Sequence, residues 1–258
     1  MHNPAAALTA LSMGLALSAC EFDVKMDSDG VPLSELDMAG AAPQSLALAA
    51  PDTVIITTGD TLDISIEGDA AAEHKLLFDL DDDGLTIYRE DGWDSDSFVT
   101  IQVTMPAPRE LSLGGSGSIE AATVDQEAEI AIGGSGSISV ASIEANRLDV
   151  AIGGSGNVSA QGHVDNLDVA IGGSGSVNFA QLDADDVEVA IGGSGDLAVA
   201  SNGSVEATIA GSGNITVTGS ASCSVTAVGS GTLNCQPASS GETSSDESTT
   251  EESNNDEE

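Results

Sequence analysis

The sequence predicts an all-β chain wound as a right-handed parallel β-helix, a β-solenoid of about 19 residues per coil. Three observations predict it. Gly-Ser-Gly begins at Gly115, Gly134, Gly154, Gly173, Gly193, Gly211 and Gly229, at spacings of 19, 20, 19, 20, 18 and 18. A near-constant period marks stacked units. On either side of each Gly-Ser-Gly every second residue is apolar, as in Leu148, Val150 and Ile152 before one turn and Val158 and Ala160 after it. That is the period of a strand with one face inward. No run has the 3.6-residue period of a helix, and aromatic residues make up only 2% of the chain. A core of small and β-branched residues suits many short regular layers.

The elements follow in order. Residues 1–19 form a short apolar leader, too weak for a membrane span. It ends in Leu17-Ser18-Ala19-Cys20, which resembles a bacterial lipobox. The resemblance implies cleavage before Cys20, a lipid on Cys20 and attachment to a membrane. The n-region departs from the pattern, carrying His2 but no Lys or Arg. Residue 21 is Glu, not Asp, so the resemblance implies an outer-membrane lipoprotein of the bacterial cell envelope. Residues 20–45 read as a flexible tether. Residues 46–108 hold strand-like runs (DTVIITT, TLDISIEG, KLLFDL, LTIYRE and FVTIQVTM) separated by Gly and Asp clusters. Residues 109–236 hold the Gly-Ser-Gly coils. Residues 237–258 carry eight acids and no large apolar side chain, the composition of a disordered tail.

Charge narrows the function. The chain has 43 acidic residues against five Lys and Arg, a net charge of −38. Nucleic acid and anionic lipid surfaces both recruit Lys and Arg, so neither is an expected partner. Cations, basic proteins or a salty medium remain.

The stretch DDDGLTIYRED, the stretch VTIQVTMPAPRELSLGGSGSIE and the serial Gly-Ser-Gly with alternating Val and Ile resemble the head GIN domain family of bacterial envelope proteins, over residues 50–236. The resemblance implies a β-solenoid with an adhesin-like or structural role and brings no catalytic residues. An enzyme is therefore not expected. The coils offer a polysaccharide lyase only Arg147. A hydrolase pair could come from Asp183, Asp185, Asp186 and Glu188. His74 and His163 have no nucleophile at a telling spacing, and His163 reads as a turn residue in a one-residue insertion, QGHV.

Several groups of residues carry specific expectations. The glycines of the seven turns should supply positive φ and leave room for the next layer, with serine hydroxyls bonded along the column. One acidic column, Glu110, Glu129, Asp149, Asp168, Glu188 and Glu206, lies five residues before each of the first six turns, with Ser224 before the seventh. It should point outward, as a cation-accepting ladder, as part of a fold tuned to high ionic strength, or as a solvated face screened by salt. A second would be Asp125, Glu144, Asp165 and Asp183. No cofactor is expected, and Ca²⁺ is the cation such columns would take. Asp79, Asp81, Asp83, Gly84 and Glu90 match the calcium-loop pattern, but strand-like flanks favour a β-hairpin. Cys223 and Cys235, six residues before and after Gly229, fall on inward columns and should form a disulfide that caps the last coil.

Overall fold

The computed structural model describes residues 30–68, 73–81, 84–90 and 98–236. The leader with Cys20, Asp83 of the calcium-loop pattern, Trp93 and the acidic tail lie outside the described residues. A 3-10 turn at Leu33–Glu35 precedes the strands. The strands are β1 (Ser45–Ala49), β2 (Thr53–Thr58), β3 (Asp63–Gly68), β4 (Leu76–Leu80), β5 (Gly84–Arg89), β6 (Val99–Met105), β7 (Glu110–Leu113) and β8 (Ser118–Ala121). The coils follow with β9 (Glu127–Ile132), β10 (Ser137–Ile152), β11 (Asn157–Ile171), β12 (Ser176–Ile191), β13 (Asp196–Gly211), β14 (Asn214–Thr218), β15 (Ser222–Gly229) and β16 (Thr232–Gln236).

The strands stack as a β-solenoid. One file runs β3, β6, β2, β8, then the first halves of β10 to β13, then β14 and β16. The other runs β4, β5, β1, β7, β9, then the second halves of β10 to β13, then β15. Pairing is parallel throughout, except where β3 and β4 fold back antiparallel at the N-terminal end. Each long strand bends between its halves, and the register shifts there, as between Val140 and Ile143. Each coil thus passes from one file to the other through one continuous bent strand.

Register puts like over like. Leu148 lies over Leu167, Val187 and Val205; Ile152 lies over Ile171, Ile191 and Ile209. These side chains are buried, and they join Ile138, Val158, Val177 and Leu197 from the facing file in one core. Each such Val, Leu or Ile contributes roughly 1.5–3 kcal/mol when buried. A one-residue slip would turn a whole file of them to water, so the alternation fixes the register.

The turns form the expected file, but for a different physical reason. A Cβ on Gly134 would stand 2.0 Å from the carbonyl oxygen of Gly115. The same contact recurs at Gly154, Gly173, Gly193, Gly211 and Gly229, each within 2.0–2.2 Å of the glycine one coil below. Those carbonyls accept hydrogen bonds from the backbone amides of Ser135, Ser155, Ser174, Ser194, Ser212 and Ser230 at 2.9–3.1 Å. Bonding along the column is therefore through the backbone and not through serine hydroxyls. Of the seven glycines only Gly211 and Gly229 have positive φ. Close approach of two backbones, not a left-handed conformation, excludes other residues at most of these positions.

Two further expectations are corrected. The tether does not extend to residue 45. Val31 exchanges backbone hydrogen bonds with Phe78, and Leu33, Leu36, Met38 and Ala41 pack against the core. These apolar side chains cover the end of the solenoid that β3 and β4 close. β1, SLALA, is a further strand, and it begins at Ser45. The QGHV segment is not an insertion. Between Ser159 and Gln161 its coil is one residue shorter than the coil above, and it is also shorter than the coil below. Gly162, at φ 125°, takes the register of the buried Ile143 and Leu182. His163 consequently sits inside β11 and not in a turn.

Candidate functional site

The outward face of the second file carries the acidic ladder. Residues that alternate with Leu148, Val150 and Ile152 must point away from the core. Parallel register then pairs Glu110 with Glu129, Glu129 with Asp149, Asp149 with Asp168, Asp168 with Glu188, and Glu188 with Glu206. Ser45 precedes this column and Ser224 follows it. Strand spacing sets the carboxylates about 4.8 Å apart. Each neighbouring pair repels by about 1 kcal/mol in water.

Arg147 relieves the middle of the ladder, and sequence reasoning missed it. Its Nε and one terminal nitrogen donate to Asp149 at 2.9 and 2.8 Å, and that nitrogen also bonds Asp168. The signal was present: Arg147 and Asp149 are two apart on one strand and so share a face. The hydrogen bonds that Arg147 donates to Asp149, with the Asp149 and Asp168 charges, raise the Arg147 pKa above its ordinary value. Partial burial, then the charges of Glu110 and Asp149, push the Glu129 carboxyl up. Asp168 is raised mainly by burial; Arg147 opposes the rise, and Asp149 and Glu188 add to it.

Beside the acids runs a column of small residues: Ser112, Ala131, Ala151, Ala170, Ala190 and Thr208. Glu129, Asp149, Asp168 and Glu188 with Ala151 and Ala170 line a shallow groove of about 350 Å³. The arrangement is a flat strip in which an anionic row borders a nearly featureless one.

The second acidic column is not a carboxylate file. Because its coil is short, His163 and not Asp165 stands between Glu144 and Asp183. Asp165 instead pairs with His163, at 3.3 Å from Nε2. Asp125 lies in the connection before β9, 3.7 Å from Arg109. His163, Asp165 and Asp185 each offer one ligand atom, all within 4.8 Å of one another.

The described calcium-loop residues, Asp79, Asp81, Gly84 and Glu90, lie on or beside the expected hairpin of β4 and β5. Asp81 Oδ1 accepts from the amide of Gly84 at 2.7 Å, and Leu80 pairs with Leu85. Glu90 meets Lys75 at 3.3 Å. The flanks are strands and not the helices that such a loop joins. Tyr88 is committed elsewhere: its hydroxyl oxygen accepts from the Gly30 amide. Cys223 and Cys235 are bonded to each other across the last coil. Only Cys223 packs against the core, while Cys235 is exposed because no further coil lies above it among the described residues.

Residues 42–221, the capped end and the stacked coils through most of the Gly-Ser-Gly file, match one family, described as "Putative auto-transporter adhesin, head GIN domain". The chain belongs to the head GIN domain family. Solved structures share the fold of this head GIN domain. A "putative adhesin" from Bacteroides fragilis aligns with a TM-score of 0.70 at 20% identity, over 76% of this chain and 93% of that one. A "putative lipid binding protein" from Parabacteroides distasonis aligns at 0.59 and 22%, over 76% and 93%. A "putative adhesin" from Parabacteroides merdae aligns at 0.56 and 17%, over 76% and 92%. No curated protein matches the head GIN domain chain in sequence. Among the described residues no helix is long and apolar enough to cross a membrane.

Proposed function

We propose that this head GIN domain works without catalysis, as a lipid-anchored protein of the bacterial cell envelope that presents the acidic strip to a cationic partner. The observation that carries the reading is the in-register row of six carboxylates beside a row of alanines, with Arg147 the one Lys or Arg beyond Arg109. A partner with regularly spaced positive charges gains from every rung, and the small neighbouring side chains let it approach. Such a partner is a basic surface protein or a cationic glycan. The family's adhesin description supports an envelope location, and the lipobox-like Cys20 supports a membrane anchor.

The test uses the chain from residue 21 onward and a variant carrying Glu129→Gln, Asp149→Asn, Asp168→Asn and Glu188→Gln. The native chain should bind a lysine-rich peptide and envelope fractions, with affinity falling as salt rises. Equal binding by the variant would remove the ladder as the contact surface.

A second reading, a divalent-cation module, is favoured by the close approach of His163, Asp165 and Asp185. Ca²⁺, or Zn²⁺ since imidazole suits it better, should then raise the melting temperature beyond what Na⁺ achieves at equal ionic strength. No extra stabilisation rules that reading out.

A further inference from the structure

The two ends of the solenoid are finished in opposite ways. At the N-terminal end β3 and β4 reverse direction, Asp63 and Glu67 place charge on the edge, and residues 30–41 pack alongside. These are recognised devices for blocking strand addition. Among the described residues the C-terminal end has none of them. β15 and β16 are the last strands of their files among the described residues and carry no Pro and no charged residue. Val225 belongs to an inward column whose lower members, Val189 and Ala207, are 1% exposed, yet it is 47% exposed. Val228 is 74% exposed.

Charge decides what can cover this end. In a chain of net charge −38, residues 207–241 contain no charged side chain. Copies of so acidic a protein repel at most other faces. The strands of the last described coil are where two copies can meet without charged side chains on the paired strands themselves. The segment that follows β16 is poorly suited to cover it, because residues 237–258 hold eight acids and no apolar side chain beyond Pro237 and Ala238. We propose that the C-terminal end is a self-association surface, with β15 of one copy pairing antiparallel with β15 of a second across a two-fold axis. Both partners then fill their free backbone positions, and Val225 leaves water. This inference does not depend on the function proposed above.

Sedimentation velocity on the chain from residue 21 onward, with hydrogen exchange of the β15 amides at low and high protein concentration, tests it. A dimer is expected, tighter at 1 M than at about 0.1 M NaCl because salt screens the two acidic bodies. Protection of β15 should grow with concentration. Val225→Glu and Thr226→Lys should each weaken association about a hundredfold or more, the scale of facing like charges. Thr226 points outward, so its variant spares the core. Mixing Thr226→Lys with Thr226→Glu should restore pairing. Three results would overturn the proposal: a monomer with unprotected β15, protection independent of concentration (the chain's own tail covering the edge), or a dimer that survives both single variants.

Discussion

Arg89 grips both carboxylate oxygens of Asp52, at 2.5 and 2.6 Å, with both side chains withdrawn from water. Asp52 Oδ1 also accepts from the amide of Val99 at 2.9 Å. Asp52 lies in the turn joining β1 to β2, directly beneath the glycine file: its carbonyl would meet a Cβ on Gly117 at 2.3 Å. Where the glycine turns end, an aspartate ties the first parallel coil to the cap.

Asp52→Ala removes the buried carboxylate that two Arg89 nitrogens and the Val99 amide bond. It should destabilise the chain by about 3–5 kcal/mol. Replacing both residues, Asp52→Leu with Arg89→Met, should cost less than either single change. Denaturant unfolding of the three variants checks the order.

Arg147→Gln removes the cation that Asp149 and Asp168 share. The melting temperature should drop at low salt, and the deficit should shrink as NaCl is added, because the pair is exposed and screened. A deficit unchanged by salt would mean that Arg147 acts through packing.

Glu129 and Asp168 hold their protons more tightly in the folded chain than at their ordinary values of 4.5 and 3.8. Protonation therefore favours the fold. That gain is complete below the ordinary values and is lost as pH rises through the raised ones. Melting temperature should increase as pH is lowered from neutral toward the ordinary value of 4.5, and Glu129→Gln should flatten part of the rise. Thermal scans across that range measure it.

Reducing Cys223–Cys235, a closure of 12 residues in sequence, should cost up to about 3 kcal/mol. The loss should be confined to the last coil, since each coil contacts only its neighbours. Hydrogen exchange should show β15 and β16 opening while β11 and β12 stay protected.

How far the sequence could be read depended on periodicity. Val150, Val169 and Val189 recur at fixed distance from a glycine turn, so their stacking and the ladder beside them were legible. The short coil at Gly162 was not: spacings of 19 and 20 between turns reveal a missing residue but not its place, and the second acidic column was misaligned as a result. Asp52 and Arg89 lie 37 residues apart in non-repeating segments, so no pattern joins them. The docking of residues 30–41 was hidden because Val31, Leu33, Leu36 and Met38 follow neither strand nor helix spacing.

Stacked turns require glycine at one position and tolerate substitution at its neighbour. A Cβ on Gly154 would lie 2.1 Å from the Gly134 carbonyl oxygen, whereas one on Gly153 would meet nothing closer than 3.9 Å. The last two turns already carry Ala210 and Val228 at the equivalent of Gly153.

Comparing the unfolding free energies of Gly153→Ala and Gly154→Ala therefore probes the stacking most directly. Gly153→Ala should be neutral or stabilising by up to about 1 kcal/mol. Gly154→Ala should destabilise by about 1–3 kcal/mol or more. Equal effects at the two positions would contradict a solenoid whose turns sit one above another.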